Sequence, residues 1–97
     1  MSEVVFSPRA QADLDEIWEY TADRWDIQQA DSYLRDLVLA CSAVASGARK
    51  GRDAGDIRAG YFKITVVSHV VFYKERDGIM DVIRVLHQQM DMTRHLY

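Results

Sequence analysis

The spacing of apolar residues changes once along this chain, and that change restricts the fold more than any other feature. Leu14, Ile17, Trp18, Thr21 and Trp25 recur at helical spacing. So do Ala30, Tyr33, Leu34, Leu37, Val38, Cys41, Val44 and Ala45. Beyond Gly60 the period falls from 3.6 to 2: Phe62, Ile64 and Val66 alternate with Tyr61, Lys63 and Thr65. Residues 70–73 are apolar without interruption, as in a strand covered on both faces. Asp77-Gly78 is a hairpin turn leading into a last strand over 79–86.

The punctuation agrees with the periods. Val4-Val5-Phe6 reads as a short opening strand. Ser7 can cap a helix whose first residue, Pro8, needs no hydrogen-bonded N–H. Asp13, Asp15, Glu16 and Glu19 are assigned to that helix's outer side, several early enough to favour its N-terminus. A second helix is expected over 28–45, ended by Gly47. Residues 47–60 read as a loop rich in Gly, Arg and Asp, and 90–97 as a helical turn or tail. The order β-α-α-β-β-β predicts one α+β domain over residues 1–97. In it an N-terminal strand and a helical hairpin at about 8–46 pack on a largely antiparallel sheet of about four strands.

Charge matters here through its distribution. The net charge of −3 divides into −6 before Gly47, from three basic and nine acidic residues, and +3 after it, from nine basic and six acidic. That balance argues against a dedicated nucleic-acid binder, whose affinity comes mainly from neutralising phosphates. The second half can still offer a basic face to an acidic partner. No apolar run reaches the 18–20 residues of a membrane span. The start lacks the basic and apolar segments of a signal peptide. The lone Cys41 cannot form an internal disulfide. A cytoplasmic protein without membrane contact is the expectation.

Six segments, in order, carry a family resemblance. They are Ser7-Pro8-Arg9-Ala10 with Asp13-Leu14-Asp15-Glu16-Ile17-Trp18-Glu19-Tyr20, then Arg24-Trp25, then Ala30-Asp31-Ser32-Tyr33-Leu34. Asp56-Ile57-Arg58-Ala59-Gly60-Tyr61, Ser68-His69-Val70-Val71-Phe72-Tyr73 and the run from Arg84 to Asp91 follow. Together they resemble ParE-type toxins of the ParE/RelE toxin–antitoxin superfamily. The resemblance implies a RelE/ParE-like fold and a type II toxin that inhibits DNA gyrase by binding, without turnover or cofactor. It also implies neutralisation by a ParD-like ribbon-helix-helix antitoxin whose C-terminal segment wraps the toxin, operator DNA being met only through that antitoxin. Two alternatives stay open: a RelE-like ribosome-dependent messenger ribonuclease, and a degenerate toxin that only binds its antitoxin and helps regulate transcription.

Several residues are candidates for these roles. RNA cleavage needs a base, cations for the phosphate and an acid. Arg58, Lys63, Arg84 and His87 would have to share those tasks, with Tyr97 a poor acid at the chain end. No catalytic residue is assigned. Arg84, His87 and Arg94 are the candidate target contacts. Trp18, Tyr20, Trp25 and Tyr33 fall mostly on core spacing, but two short helices cannot hide every aromatic. With Arg49, Arg52 and Arg58 they are the candidate antitoxin contacts. His87, Asp91 and His95 have helical metal-ligand spacing, which fails if His87 ends a strand, so no metal site is assigned. Cys41 lies on an apolar stripe and reads as inert.

Overall fold

The computed structural model describes residues 3–90 and 92–96. Its elements are β1 (Glu3–Phe6), α1 (Pro8–Arg24), α2 (Ile27–Ser46), β2 (Arg52–Asp53), β3 (Phe62–Val66), β4 (His69–Arg76), β5 (Ile79–His87) and α3 (Met92–Leu96). The helical hairpin and the later hairpins stand where the periods place them. Ser7 Oγ accepts from the Ala10 N–H at 3.0 Å, and Pro8 opens α1. Asp26 caps α2 through the Gln29 N–H at 2.7 Å, and Gly47 closes it at φ 86°. No carboxylate lies in the first turn of α1, so the helix-dipole benefit expected for Asp13, Asp15, Glu16 and Glu19 is not realised. Among the described residues no helix is long and apolar enough to cross a membrane.

The sheet has five strands in the order β1-β5-β4-β3-β2, one more than expected. The addition is β2, two residues inside the segment read as a loop. It pairs antiparallel with Phe62 and Lys63 and is too short to show a period. β1 runs parallel to β5, and every other pair is antiparallel. β4 lies at the centre, and its Val70, Val71, Phe72 and Tyr73 are all buried.

Alternation divides those four residues between two faces. Val71 and Tyr73 join Met80, Val82 and Val85 beneath Leu14, Ile17, Leu37, Cys41 and Val44 of the helices. Val70, Phe72 and Leu86 face the other way, under Ala54, Tyr61 and Leu96. The segment 47–60 is therefore a cover for the second face as well as a connection. Near its start the same segment lies instead against a residue of the helix-covered face, so closely that a Cβ on Gly51 would stand 1.8 Å from the Tyr73 hydroxyl.

One edge is built differently from a strand edge. β1 covers β5 only as far as Val82. Beyond it, the Ser7 N–H donates to the Val82 carbonyl at 2.9 Å, and the Ser7 hydroxyl to the Ile83 carbonyl at 2.9 Å. Asp13 Oδ2 then accepts from the Val85 N–H at 2.9 Å. The start of α1 thus continues the pairing that β1 leaves off, and the exposed edge is blunted.

Candidate partner-binding groove

Two adjoining hollows of about 310 and 440 Å³ run between α1, the end of β5 and the β3–β4 turn, sharing Tyr20, His69 and His87. Their walls include Ile17, Val85, Leu86 and Met90 at one end, and Trp25, Gln29, Tyr33 and Val67 at the other. Tyr20, Trp25 and Val67 are 66%, 68% and 72% exposed, high values for large apolar side chains. Trp25 left the predicted stripe because α1 ends at Arg24 and Trp25 becomes its C-cap. The Arg24 guanidinium sits 5.9 Å from the Trp25 ring centre, a cation–π contact. Val67 occupies the left-handed region at φ 54°. A β-branched residue there is strained, and such strain clusters at functional sites. An exposed, strained valine beside exposed aromatics is costly for folding alone and suits a surface that a partner covers.

The groove floor holds a small polar cluster. The Tyr33 hydroxyl lies 2.6 Å from His69 Nδ1, 3.3 Å from the Val66 carbonyl, and accepts from the Ser68 N–H at 3.4 Å. The His69 and His87 rings meet edge to face at 5.3 Å. Burial, reinforced by the neighbouring His87, lowers the His69 pKa from 6.5 to about 4. At neutral pH His69 is therefore uncharged, and we assign its proton to Nε2 so that Nδ1 accepts from Tyr33. Burial also raises the Tyr33 pKa.

This depression has a sign for stability. Between pH 6.5 and about 4 the unfolded chain binds more protons at this site than the folded one. Stability present above 6.5 is then lost as the pH falls through that window. The partly solvated position limits the loss to on the order of 2 kcal/mol. Urea unfolding at pH 7.5 and 4.5 should show this acid loss shrinking by that amount in His69→Gln, which cannot titrate. An unchanged acid loss in the variant would refute the assignment.

Arg84 corrects an expectation. As a proposed target contact it should be accessible, yet it is buried against α1 and α3. Its Nε and a terminal nitrogen donate to the two Asp13 oxygens at 2.8 and 3.1 Å, and its other terminal nitrogen to the His95 carbonyl at 2.8 Å. Asp13, assigned to the solvent side of α1, is the buried partner. Arg58 is also directed away from the basic loop. It donates to the Leu96 carbonyl and lies 5.4 Å from the Tyr61 ring centre.

The other candidates separate into regions. Tyr20, Trp25, Tyr33 and His87 meet in the groove. Trp18 is half-buried, and its indole N–H donates to Asp31 at 2.8 Å, joining α1 to α2. Arg94 is exposed on α3. Arg49 and Arg52 line a different cleft with Lys50 and Lys63. Lys63 and Arg84 both oppose Phe72, on β3 and β5, but Phe72 packs beneath Ala54, Tyr61 and Leu96. His87 ends β5 while His95 lies in α3, so the helical metal-ligand spacing is not formed between them. Asp91 and Tyr97 lie outside the described residues. Burial raises the Cys41 thiol to about 11, against the opposing pull of Arg49, and keeps it protonated. Sequence reasoning missed Asp13, His69 and Val67 as members of this region.

Comparison with known proteins gives a consistent set. The family model for the ParE toxin of the type II toxin–antitoxin system, parDE, matches residues 4–92. Toxin ParE1 of Mycobacterium tuberculosis is 48% identical over 96 residues, covering 98% of both chains. Toxin ParE1 of Caulobacter vibrioides is 44% identical over 91 residues, covering 93% of both. A chain from a structure titled "Chromosomal ParDE TA system from P. aeruginosa" shares the fold with a TM-score of 0.76 at 16% identity, covering 90% of this chain and 96% of that one.

Proposed function

The chain belongs to the ParE toxin family of type II toxin–antitoxin systems, and from that premise we propose that it inhibits DNA gyrase by binding and is neutralised by a ParD-like antitoxin. The observation that carries the antitoxin reading is the groove, where Tyr20, Trp25 and strained Val67 stand in water beside Tyr33, His69 and His87. An amphipathic segment laid there would bury apolar surface that the fold leaves uncovered. Operator DNA is then contacted through the antitoxin.

Binding rather than turnover is favoured by how the cations are used. Arg84 is committed to Asp13 and the His95 carbonyl, and Arg58 to the Leu96 carbonyl. Neither is positioned to gather a phosphate's developing charge, as RNA cleavage would require. The target contacts are accordingly His87 and Arg94, with Arg84 holding α3 through the His95 carbonyl. Two parallel assays test the reading: gyrase supercoiling with purified protein, and messenger cleavage on programmed ribosomes. Inhibition in the first and silence in the second are expected. Cleavage abolished by His87→Ala would transfer the protein to the ribonuclease branch, and silence in both assays would make it a degenerate toxin.

A further inference from the structure

The chain has three histidines, His69, His87 and His95. They come from β4, β5 and α3, yet all three line one hollow of about 310 Å³ beside α1. Histidine is the side chain whose charge ordinarily changes between pH 5 and 8, so a groove walled by three of them is sensitive to protons. Two of the rings are held through a nitrogen that must stay unprotonated. His69 Nδ1, as assigned above, accepts from the Tyr33 hydroxyl at 2.6 Å. His87 Nδ1 accepts from the Gln89 N–H at 3.2 Å, and that bond has one sense only, because a backbone N–H can only donate. A proton on His87 Nδ1 would set donor against donor where β5 ends. The two rings also meet edge to face at 5.3 Å, so charging both would add repulsion.

The charged groups around His87 come close to cancelling. From α1, Arg9, Glu16 and Arg24 line the two hollows that the ring borders, and from β5 Arg84 does so with its charge met by Asp13. The other titratable neighbours are Tyr20 of α1, Tyr33 of α2, His69 of β4 and His95 of α3. What changes when a partner arrives is water. An apolar segment laid over Tyr20, Trp25 and Val67 covers His87 as well, and covering a ring disfavours its charged form. We propose that His87 makes the groove a proton-sensitive contact: the antitoxin binds with this ring uncharged and is released as the pH falls. The proposal rests on the antitoxin reading of the groove and adds its regulation. The proton on Nδ1 passes to solvent as the groove closes, so affinity is full above the ordinary histidine range and is lost as the pH drops through it. His69 does not supply the effect, since with a pKa of about 4 it is already uncharged in the free chain at pH 5.5.

The test titrates the full chain with the ParD-like antitoxin obtained by co-expression, at pH 7.5 and 5.5 and one ionic strength, with melts at both pH values to show that the free chain stays folded. Affinity should be about tenfold weaker at pH 5.5, the change expected when one ring of ordinary histidine pKa must lose its proton to bind. His87→Gln keeps a side-chain acceptor for the Gln89 N–H but cannot titrate, and its ratio between the two pH values should fall below about threefold. Because the antitoxin is the same in both titrations, its own titrating groups cancel from that comparison. His69→Gln should keep the parent's ratio. A flat profile in the parent, tighter binding at pH 5.5, or an undiminished ratio in His87→Gln overturns the proposal. The double variant Tyr20→Ala with Trp25→Ala separates the two readings. If it loses affinity while the parent's profile is flat, only the proton sensitivity fails; if it binds like the parent, the groove reading fails and this proposal with it.

Discussion

Asp13→Ala is expected to cost about 3–5 kcal/mol of folding stability, a fall in Tm of roughly 15–30 °C for a domain of this size. The magnitude follows from what the carboxylate holds. It is 4% exposed, and it receives two hydrogen bonds from Arg84 and one from the Val85 N–H. Its removal leaves a buried guanidinium without a counter-charge and a strand N–H without an acceptor. Total stability for such a domain is about 5–10 kcal/mol, so the variant should sit near the edge of folding at 37 °C. Asp13→Leu combined with Arg84→Met should recover much of the loss, since replacing both members of a buried pair by apolar groups is often close to neutral. Recovery will stay incomplete because the Val85 N–H remains unpaired. Thermal melts of the single and double variants decide it: a single variant within about 3 °C of the parent would show that this pair does not hold α1 against β5.

The same pair shows where the sequence stops being legible. Helices and long strands could be read because their burial repeats along the chain, as at Leu37, Cys41 and Val44 or at Ile64 and Val66. Asp13 lies just before Leu14 on the buried side of α1, but residue type alone places an aspartate in solvent. Its partner is 71 residues away, and no local pattern announces a contact of that range. β2 is too short for periodicity, and the apolar residues Ala54, Ile57 and Tyr61 are hidden in composition by the glycines and charges around them. In the groove, Tyr20 and Trp25 were legible as surplus aromatics. His69 and Val67 were not, because their significance lies in a turn conformation and a neighbouring ring.

Tyr20→Ala with Trp25→Ala is expected to weaken antitoxin binding by a hundredfold or more while changing Tm by only a few degrees. The two effects separate because both rings are largely solvated in the free protein and contribute little to its core. Each can bury about 150–250 Å² when covered. Aromatic anchors of this kind commonly account for 2 kcal/mol or more each in an interface, and the pair together for at least the 2.7 kcal/mol that a hundredfold change represents. Leu39→Ala on α2, also exposed at 58% but lining neither hollow, is the matched control and should leave affinity within about twofold. Affinity is measured by titrating the cognate antitoxin, and folding by thermal melts of the same preparations. A double variant that binds within threefold of the parent would place the antitoxin elsewhere on the surface. One that loses binding together with more than about 10 °C of Tm would show the rings to be structural, and the groove would lose its claim to a partner.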